Sequence, residues 1–389
     1  MTQAKSFYGA FDLYPSSKGA AIHIYHMAGK LFEQHGPGLM TCLGNDELPH
    51  YQHEGNIEIH RFKEKIPNYL ARALSYTEWC SKVLKEKGTK LDICHFRDPW
   101  TGKAVIDSVK NCRIVYEING LPSIELPFTY KNIPEHTLNK IRSIEKECWV
   151  AADEIVTPAY CIKNNLIKYG VPADKITVIP NGAELRKESY EKPIKDPYVL
   201  YIGALQPWQG VDVLLKSFSL LSDFSNLKLV ICSSTKCKRA KNLLRMVRRL
   251  ELEDKVIWNW RLSQSDLQPW LAHASVAVAP LLECARNLKQ GCSPLKILEY
   301  MAHGRAVVAS DLPAVTEIIN SDNVGKLIRA GRPSDLARAI RILLEIPEVS
   351  RQMGECAKKR IEEEFTWDAQ MKKLEKIYEK ILEVGCLEF

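Results

Sequence analysis

The sequence has no long hydrophobic run, which excludes a membrane-spanning helix. Such a helix needs about 18 nearly uncharged apolar residues, and no stretch of the 389 residues reaches that length. The opening segment, MTQAKSFYGAFDLYP, also lacks the apolar core and cleavage site of a secretory signal peptide. We therefore expect a protein that is soluble or bound peripherally to a membrane.

Paired cysteine spacings are missing as well, although the chain contains 12 cysteines. No Cys-x-x-Cys pair occurs, so the ligand spacing of a structural zinc site is absent and we expect no bound metal. Several cysteines lie in apolar, strand-like runs, such as Cys94 in LDICHF and Cys232 in KLVICS. This pattern is typical of reduced, buried thiols in a cytoplasmic protein.

Several common catalytic motifs are also absent. The sequence has no G-x-x-x-x-G-K-[ST] phosphate loop, no G-x-G-x-x-G fingerprint, no H-E-x-x-H and no G-x-S-x-G elbow. It has no Asp-x-Asp pair to hold a divalent cation on a sugar nucleotide. These absences argue against a P-loop enzyme, an α/β-hydrolase and a metal-dependent sugar transferase.

What is present is an ordinary globular composition, with 46% hydrophobic and 26% charged residues. At about 150 residues per domain, the length predicts two or three domains. The net charge of +7 suits an anionic ligand, an anionic membrane or simply a solvated surface, and it is no nucleic-acid signature. The basic run at 236–249, KCKRAKNLLRMVRR, has two interpretations, contact with anionic lipid or a solvated helix face, and the second is the commoner.

Short runs rich in Val and Ile alternate with amphipathic segments, which predicts mainly parallel sheets covered on both faces. The clearest helices are predicted at 19–35 and 68–87, with another at the C-terminal end. Pro, Gly and charged residues interrupt the pattern between Pro180 and Pro197, where we place a linker between two α/β domains. Strands are predicted at 4–12, 38–43, 57–62, 91–96, 113–118, 153–157, 175–180, 197–203, 227–231, 255–260, 274–280, 305–310 and 325–329.

The most informative stretch, 274–319, predicts a strand, a loop, a helix, a second strand and a second helix. Ser293 is predicted to cap the first helix and Pro294 to take its first position. Free N–H groups and the positive dipole end would then form an anion site at the carboxyl ends of the strands. Lys296 falls in the first turn with Glu299 on the same face, which suits a diphosphate and sugar hydroxyls. From spacing alone, a surface ion pair is the commoner outcome.

This stretch, with its string SPLKILEYMAHG, resembles the donor-binding signature of the retaining nucleotide-sugar glycosyltransferases of family four, also described as glycosyl transferases group 1. IPNG at 179–182, YIGALQPWQGVDVLLKSF at 201–218 and the closing FTWD with its helix are similar to further family segments. The resemblance implies an α/β fold of GT-B architecture, with two Rossmann-like domains whose parallel sheets face each other across a deep cleft. It also implies an acceptor domain at 1–185 completed by the C-terminal helix at 370–389, and a donor domain at 186–369.

The resemblance also implies roles for single residues. Glu299 would bind the donor ribose, Lys296 would neutralise the diphosphate, and Arg261 would hold the nucleobase or a phosphate. The remaining donor contacts would come from backbone and loop positions: Ser293, Pro294, Leu295, Gln209 and Gly210.

Two departures from the family pattern affect the donor site. Its usual first glutamate falls on Gly291, so Glu283 would have to replace it. The basic positions of its phosphate loop fall on Ala204 and Gln209. The compensating charge would come from Lys296, Arg261, and Arg286 or Lys289.

In the first domain, Gly19 begins a glycine loop that lets a ligand approach the backbone, and Lys18 either meets a phosphate or is a surface lysine. Arg97 and Asp98 would point into the cleft or, alternatively, only fix a loop. The other polar candidates for contact with donor sugar or acceptor are Glu117, Asn119 and, ranked lower because a lone histidine is usually structural, His95 and His23.

The expected function is therefore retaining, metal-independent hexosyl transfer in polysaccharide or glycoconjugate synthesis, with no cofactor beyond the nucleotide sugar. UDP-glucose is the first expected donor and GDP-mannose the second, and the acceptor is expected to be a saccharide or a lipid-linked saccharide. Two rival hypotheses stay open: a GT-B sugar-nucleotide epimerase and a non-catalytic nucleotide-sugar binding protein.

Overall fold

The chain forms two compact units in the computed structural model. One unit comprises Met1–Pro180 with Gln370–Phe389, and the other comprises Asn181–Ala369. The sequence placed the division slightly later, after residue 185. The structure describes residues 3–16, 19–87, 90–130, 132–185, 189–291 and 293–385.

The first unit is built on an eight-stranded sheet with the order β3-β4-β2-β1-β5-β6-β7-β8. All neighbouring strands run parallel except β3 and β4, which pair antiparallel with each other. Its strands are β1 Ser6–Leu13, β2 Gly38–Leu43, β3 Tyr51–Glu54, β4 Ile57–Phe62, β5 Ile93–Phe96, β6 Arg113–Glu117, β7 Glu154–Thr157 and β8 Ile176–Val178. Its helices are α1 Gly19–His35, α2 Tyr69–Lys87, α3 Pro99–Ser108, α4 Pro122–Thr129, α5 Glu135–Ala151, α6 Tyr160–Lys168 and the 3-10 helix Ala173–Lys175.

The second unit contains a fully parallel six-stranded sheet with the order β11-β10-β9-β12-β13-β14. Its strands are β9 Tyr198–Gly203, β10 Lys228–Ser233, β11 Val256–Trp260, β12 Val276–Ala279, β13 Val307–Ser310 and β14 Lys326–Ile328. Its helices are α7 Val211–Ser219, α8 Lys241–Arg249, α9 Gln264–His273, α10 Ala285–Lys289, α11 Leu295–Ala302, α12 Pro313–Thr316, α13 Pro333–Glu345, α14 Pro347–Glu364 and the 3-10 helices Pro207–Gln209 and Cys237–Arg239.

The central strands of both units are buried on both faces, which is why they appear in the sequence as continuous apolar runs. Along β9, Leu200 packs into one core while Val199 and Tyr201 pack into the core on the opposite face. Cys94 and Cys232, predicted to be buried, lie on central strands and are buried with free thiols.

The last helix, α15 (Trp367–Gly385), returns the chain to the first unit, as the resemblance implies. Tyr378 is buried there, Lys380 Nζ lies 3.0 Å from Glu154 Oε2, and Gln34 donates to Glu375 at 3.2 Å. Among the described residues, no helix is long and apolar enough to cross a bilayer.

Candidate functional site

Lys296, in the first turn of α11, is held against the carboxyl end of β9. Its Nζ donates to Gln209 Oε1 at 2.6 Å and lies 4.3 Å from the centre of the Tyr201 ring. A side chain at Gly203 would bring its Cβ within 2.9 Å of that nitrogen. The ammonium group is therefore fixed between the helix start and the loop that follows β9, where an open α/β sheet binds its ligand.

The loop after β9 has its shape fixed by Gly210. This residue adopts φ +70°, and a Cβ there would lie 1.8 Å from the carbonyl oxygen of Pro280. Asn287 donates to the carbonyl oxygen of Trp208 in the same loop at 3.2 Å, and the Arg286 guanidinium lies 4.9 Å from the Trp208 ring. The loop after β9 is therefore pinned by the segment that follows β12, so the position of Gln209 beside Lys296 is well defined.

The start of α11 differs from the prediction. Pro294, not Ser293, is the N-cap residue, because its ψ of 100° is extended and the helix begins at Leu295. As the N-cap, Pro294 makes no side-chain capping hydrogen bond. Ser293 is buried with its Oγ unpartnered, while its carbonyl oxygen accepts from Asn181 Nδ2 at 2.6 Å. The N-cap residue Pro294 has no polar side chain, so it does not itself occupy the first-turn N–H groups of α11, and a helix start of this kind suits an anion.

Glu299 lies one turn along α11 and is half-buried. Its Oε1 accepts from Gln264 Nε2 at 3.4 Å, and its backbone oxygen lies 2.8 Å from Nδ1 of His303. Arg261 follows β11 with an exposed side chain and φ +53°, a conformation rare for arginine. Its backbone N–H donates to Ser233 at 2.7 Å. The structure thus places Lys296, Glu299 and Arg261 in one unit, on elements that meet at the carboxyl edge of its sheet.

The segment after β12 carries the remaining donor candidates. Glu283 and Lys289 are exposed, and Arg286 is engaged with Trp208 and Asn287. At Gly291, where the family pattern has glutamate, a Cβ would lie 2.5 Å from the carbonyl oxygen of Asn287. The backbone therefore approaches too closely at this position for a glutamate to fit without a local shift.

In the first unit, Glu117 at the end of β6 is the centre of a buried cluster. Its carboxylate accepts from Tyr8 at 2.9 Å and from Asn119, and lies 3.0 Å from His23 Nε2. Arg97 Nε lies 3.6 Å away and His95 Nε2 3.4 Å away. We call these side chains, with Tyr378, the Glu117 cluster. Sequence analysis had no signal for Tyr8 or Tyr378, because they are contributed by distant segments.

The charges of the Glu117 cluster are set by burial and by one another. Burial alone would raise the pKa of Glu117, but His23 and Arg97 outweigh it and hold the pKa well below its ordinary value. Burial lowers the pKa of His95, with partial opposition from Glu117, and favours the neutral imidazole. Glu117 was predicted to contact the donor sugar or the acceptor. It is only 1% exposed, and its carboxylate oxygens contact Arg97 and Asn119 instead of facing solvent.

Asp98 and His95 take the structural alternatives that the sequence left open. Asp98 fixes the backbone locally, because it is the N-cap of α3 and accepts from the Thr101 N–H at 2.8 Å and the Phe11 N–H at 2.7 Å. His95 is fully buried and cannot touch a sugar in this structure. Gly19 begins α1, and Lys18 lies outside the described residues.

Comparisons with known proteins identify similar glycosyltransferases and a protein of similar fold. An uncharacterized glycosyltransferase of Methanocaldococcus jannaschii is 22% identical over 95% of this chain and 96% of its own length. The O-antigen chain mannosyltransferase RfbU of Salmonella typhimurium is 28% identical over 63% of this chain and 64% of its own length. The Anabaena protein HepE, solved with UDP and glucose, is 16% identical, with a TM-score of 0.73 over 97% of this chain and 100% of that one.

The fold has the GT-B architecture, built from two Rossmann-like units. The chain is a glycosyltransferase, and its two parts match two glycosyltransferase families. The family described as Glycosyl transferases group 1 matches residues 183–360, and Glycosyltransferase Family 4 matches residues 17–187. Neither the epimerase hypothesis nor the binding-protein hypothesis is supported by these comparisons.

Proposed function

We propose that the protein transfers a hexose, with retention of configuration and without a metal or other cofactor, from a nucleotide diphosphate sugar to a saccharide or lipid-linked acceptor. The observation that carries the proposal is the position of Lys296. Its ammonium group lies at the start of α11 and is fixed by Gln209 and Tyr201, so that cation and helix dipole face the same space. This arrangement suits a diphosphate better than a neutral sugar.

The proposed chemistry is electrostatic. As the bond between the sugar's anomeric carbon and the diphosphate breaks, Lys296 and the N–H groups of α11 stabilise the charge that develops on the leaving phosphate. The acceptor oxygen forms its bond to the same face of the anomeric carbon, and its proton passes to the departing phosphate oxygen. No carboxylate nucleophile is required, and Glu299 is assigned to the donor ribose hydroxyls.

The Lys296 ammonium is held by the protein's own side chains, which favours catalysis by preorganisation. A lysine in the first turn of a helix opposes the dipole and costs a few tenths of a kcal/mol or more. Gln209 and the Tyr201 ring offset part of that cost, since an amide oxygen and an aromatic face both stabilise an ammonium. Little reorganisation is then needed when the diphosphate binds.

UDP-glucose is our first proposed donor. Its support is the solved structure of HepE with UDP and glucose, which shares this fold. GDP-mannose is the second, because RfbU is named a mannosyltransferase. The same name, which refers to an O-antigen chain, supports a saccharide or lipid-linked acceptor and a role in glycoconjugate synthesis.

We assign Arg97 and Asn119, held by Glu117, to contacts with the donor sugar or the acceptor. Arg97 is fixed twice more, by a hydrogen bond from Nη1 to the carbonyl oxygen of Ala20 at 3.0 Å and by Asp12 at 3.7 Å. A cation held in this way lies at the carboxyl ends of β5 and β6, where polar ligands bind parallel sheets.

The test is to measure nucleoside diphosphate released from UDP-glucose, other UDP-sugars and GDP-mannose, with EDTA and a mixture of saccharide acceptors present. We expect release from one donor by the wild type and loss of at least about 100-fold in Lys296→Gln, in line with the removal of one charge-stabilising donor. Lys359→Gln is the matched control, because Lys359 is an exposed lysine paired with Glu363. NMR of the product reports whether the configuration is retained. Absence of release from every donor, together with absence of calorimetric binding, would overturn the proposal.

A further inference from the structure

The second unit has one strongly charged surface to which the proposed donor site assigns no role. Residues 236–249, which we call the basic segment, comprise the 3-10 helix Cys237–Arg239 and helix α8. The segment contains no Asp or Glu and no aromatic residue. Its seven cationic residues are Lys236, Lys238, Arg239, Lys241, Arg245, Arg248 and Arg249.

All seven cationic side chains of the basic segment are exposed. Within the part of the chain that the structure describes, none of them pairs with an acidic side chain; Arg245 donates only to Asn242, at 3.4 Å. Cations elsewhere on this unit behave differently. Lys326 lies 2.9 Å from Asp322, and Arg351 lies 2.6 Å from Glu348. The repulsion within the basic segment is thus not relieved by neighbouring acids.

The apolar face of α8 is already covered. Val247 is buried, and Leu243 and Met246 pack against the core of the unit. An interfacial helix that inserts into a bilayer needs an uncovered apolar face. The basic segment therefore offers a partner mainly charge, because its apolar side chains are buried or half-buried.

The basic segment begins beside the donor site. Ser234, directly after β10, donates its N–H to the Gly203 carbonyl oxygen at 3.3 Å, and the Leu205 N–H donates to Thr235 Oγ1 at 3.3 Å. The segment then continues through α8, whose nine residues span about 13 Å. The cations are therefore spread along one side of the unit and do not converge on a single pocket.

We propose that the basic segment binds the anionic headgroups of a membrane surface by charge attraction alone, without insertion. Exposed cations that are spread over a surface can each attract a separate monovalent headgroup, so each cation contributes to the affinity for the membrane. Single-stranded nucleic acid is the poorer match, because its binding sites combine cations with aromatic side chains that stack on bases. Such adsorption keeps the donor site of this unit beside the membrane. Vesicle binding can be measured without the transfer reaction, so it tests this proposal separately from the proposed function.

The experiment is co-sedimentation of the full chain with vesicles of phosphatidylcholine alone and with vesicles that also contain phosphatidylglycerol. We expect binding only to the anionic vesicles, its loss at high salt, and an unchanged tryptophan emission spectrum because nothing inserts. Each cation removed should weaken binding about fivefold. The variant K241Q/R245Q/R248Q/R249Q should therefore lose at least about 100-fold.

The control variant K216Q/K326Q/R351Q/K359Q lowers the net charge equally at exposed cations that are paired with acids. We expect it to bind anionic vesicles nearly as the wild type does. If either quadruple variant fails to fold, the double variants K241Q/R245Q and R248Q/R249Q replace it, and each is expected to lose about 25-fold. Their controls are the double variants K216Q/K326Q and R351Q/K359Q. Three results would each overturn the proposal. They are equal binding to neutral vesicles, equal losses in the two quadruple variants, and displacement from the vesicles by oligonucleotide at a lower concentration than the free lipid headgroup requires.

Discussion

The hydroxyl of Tyr378 lies 2.6 Å from Nδ1 of His95, and the other ring nitrogen of His95 faces Glu117 at 3.4 Å. An ionised carboxylate only accepts hydrogen bonds, so we infer that the neutral imidazole turns its Nε2 proton toward Glu117 and accepts from the tyrosine at Nδ1. A side chain of the last helix thereby favours one tautomer of a histidine in the Glu117 cluster. This contact joins residues 283 positions apart.

The first prediction concerns that contact. Tyr378→Phe should lower the free energy of unfolding by about 1–2 kcal/mol, because it leaves a buried imidazole nitrogen without its donor. Urea unfolding of Tyr378→Phe, of His95→Gln and of the double variant forms a double-mutant cycle. We expect a coupling of about 1 kcal/mol between the two residues. Additive effects would show that the hydroxyl does not act on His95.

The second prediction concerns Glu117 and pH. Burial would raise the pKa of Glu117, but His23 and Arg97 outweigh it and depress the pKa in the folded state. The ionised carboxylate therefore stabilises the fold at pH values above the ordinary pKa of a glutamate. This contribution is lost as pH falls toward the depressed pKa. Glu117→Gln should therefore be less stable than the wild type at neutral pH, and the difference should shrink as pH falls below about 4.3. Glu33→Gln, which removes an exposed glutamate of the same unit, is the control for the loss of one carboxylate. A difference independent of pH would contradict the ion pairing.

The third prediction concerns Gly210. Alanine there meets both a positive φ and the Pro280 carbonyl oxygen at 1.8 Å. Gly331→Ala is a matched control, since Gly331 has φ +71° with nothing within 4 Å of the added Cβ. Thermal unfolding should show a cost of about 1–2 kcal/mol for Gly331→Ala, from the left-handed backbone alone, and a clearly larger cost for Gly210→Ala. Similar costs for the two variants would mean that the close approach is easily relieved.

The fourth prediction concerns Gln209, which holds Lys296. Gln209→Glu places a carboxylate against the ammonium group and should weaken UDP binding about tenfold, because the cation is then neutralised before the ligand arrives. Gln206→Glu adds the same charge to the same loop without that contact. Calorimetric titration with UDP compares them. Equal losses would assign the effect to loop charge and not to the Lys296 contact.

Most elements of the fold could be predicted from the sequence, because the periodicity is strong. The strands predicted at 38–43 and 57–62 are β2 and β4, and the helix predicted at 19–35 is α1. Strand β3 was missed, since YQHE is polar and largely exposed and forms only by pairing antiparallel with β4. The two-unit α/β class is confirmed.

The candidate sites were less predictable. The signature around Lys296 is local in sequence and could be identified, but the helix start was wrong because Pro294 adopts an extended ψ. The Glu117 cluster could not be assembled from patterns, since its members come from β1, α1, the ends of β5 and β6, and α15. Only the tertiary fold brings them together.

The central claim is that Lys296 and the start of α11 bind the diphosphate of the donor. Calorimetric titration of UDP and of uridine into the wild type and into Lys296→Gln tests this claim most directly. We predict that the wild type prefers UDP by at least about tenfold, and that Lys296→Gln loses most of this preference while its affinity for uridine is unchanged. An unchanged preference for UDP in Lys296→Gln would contradict the account.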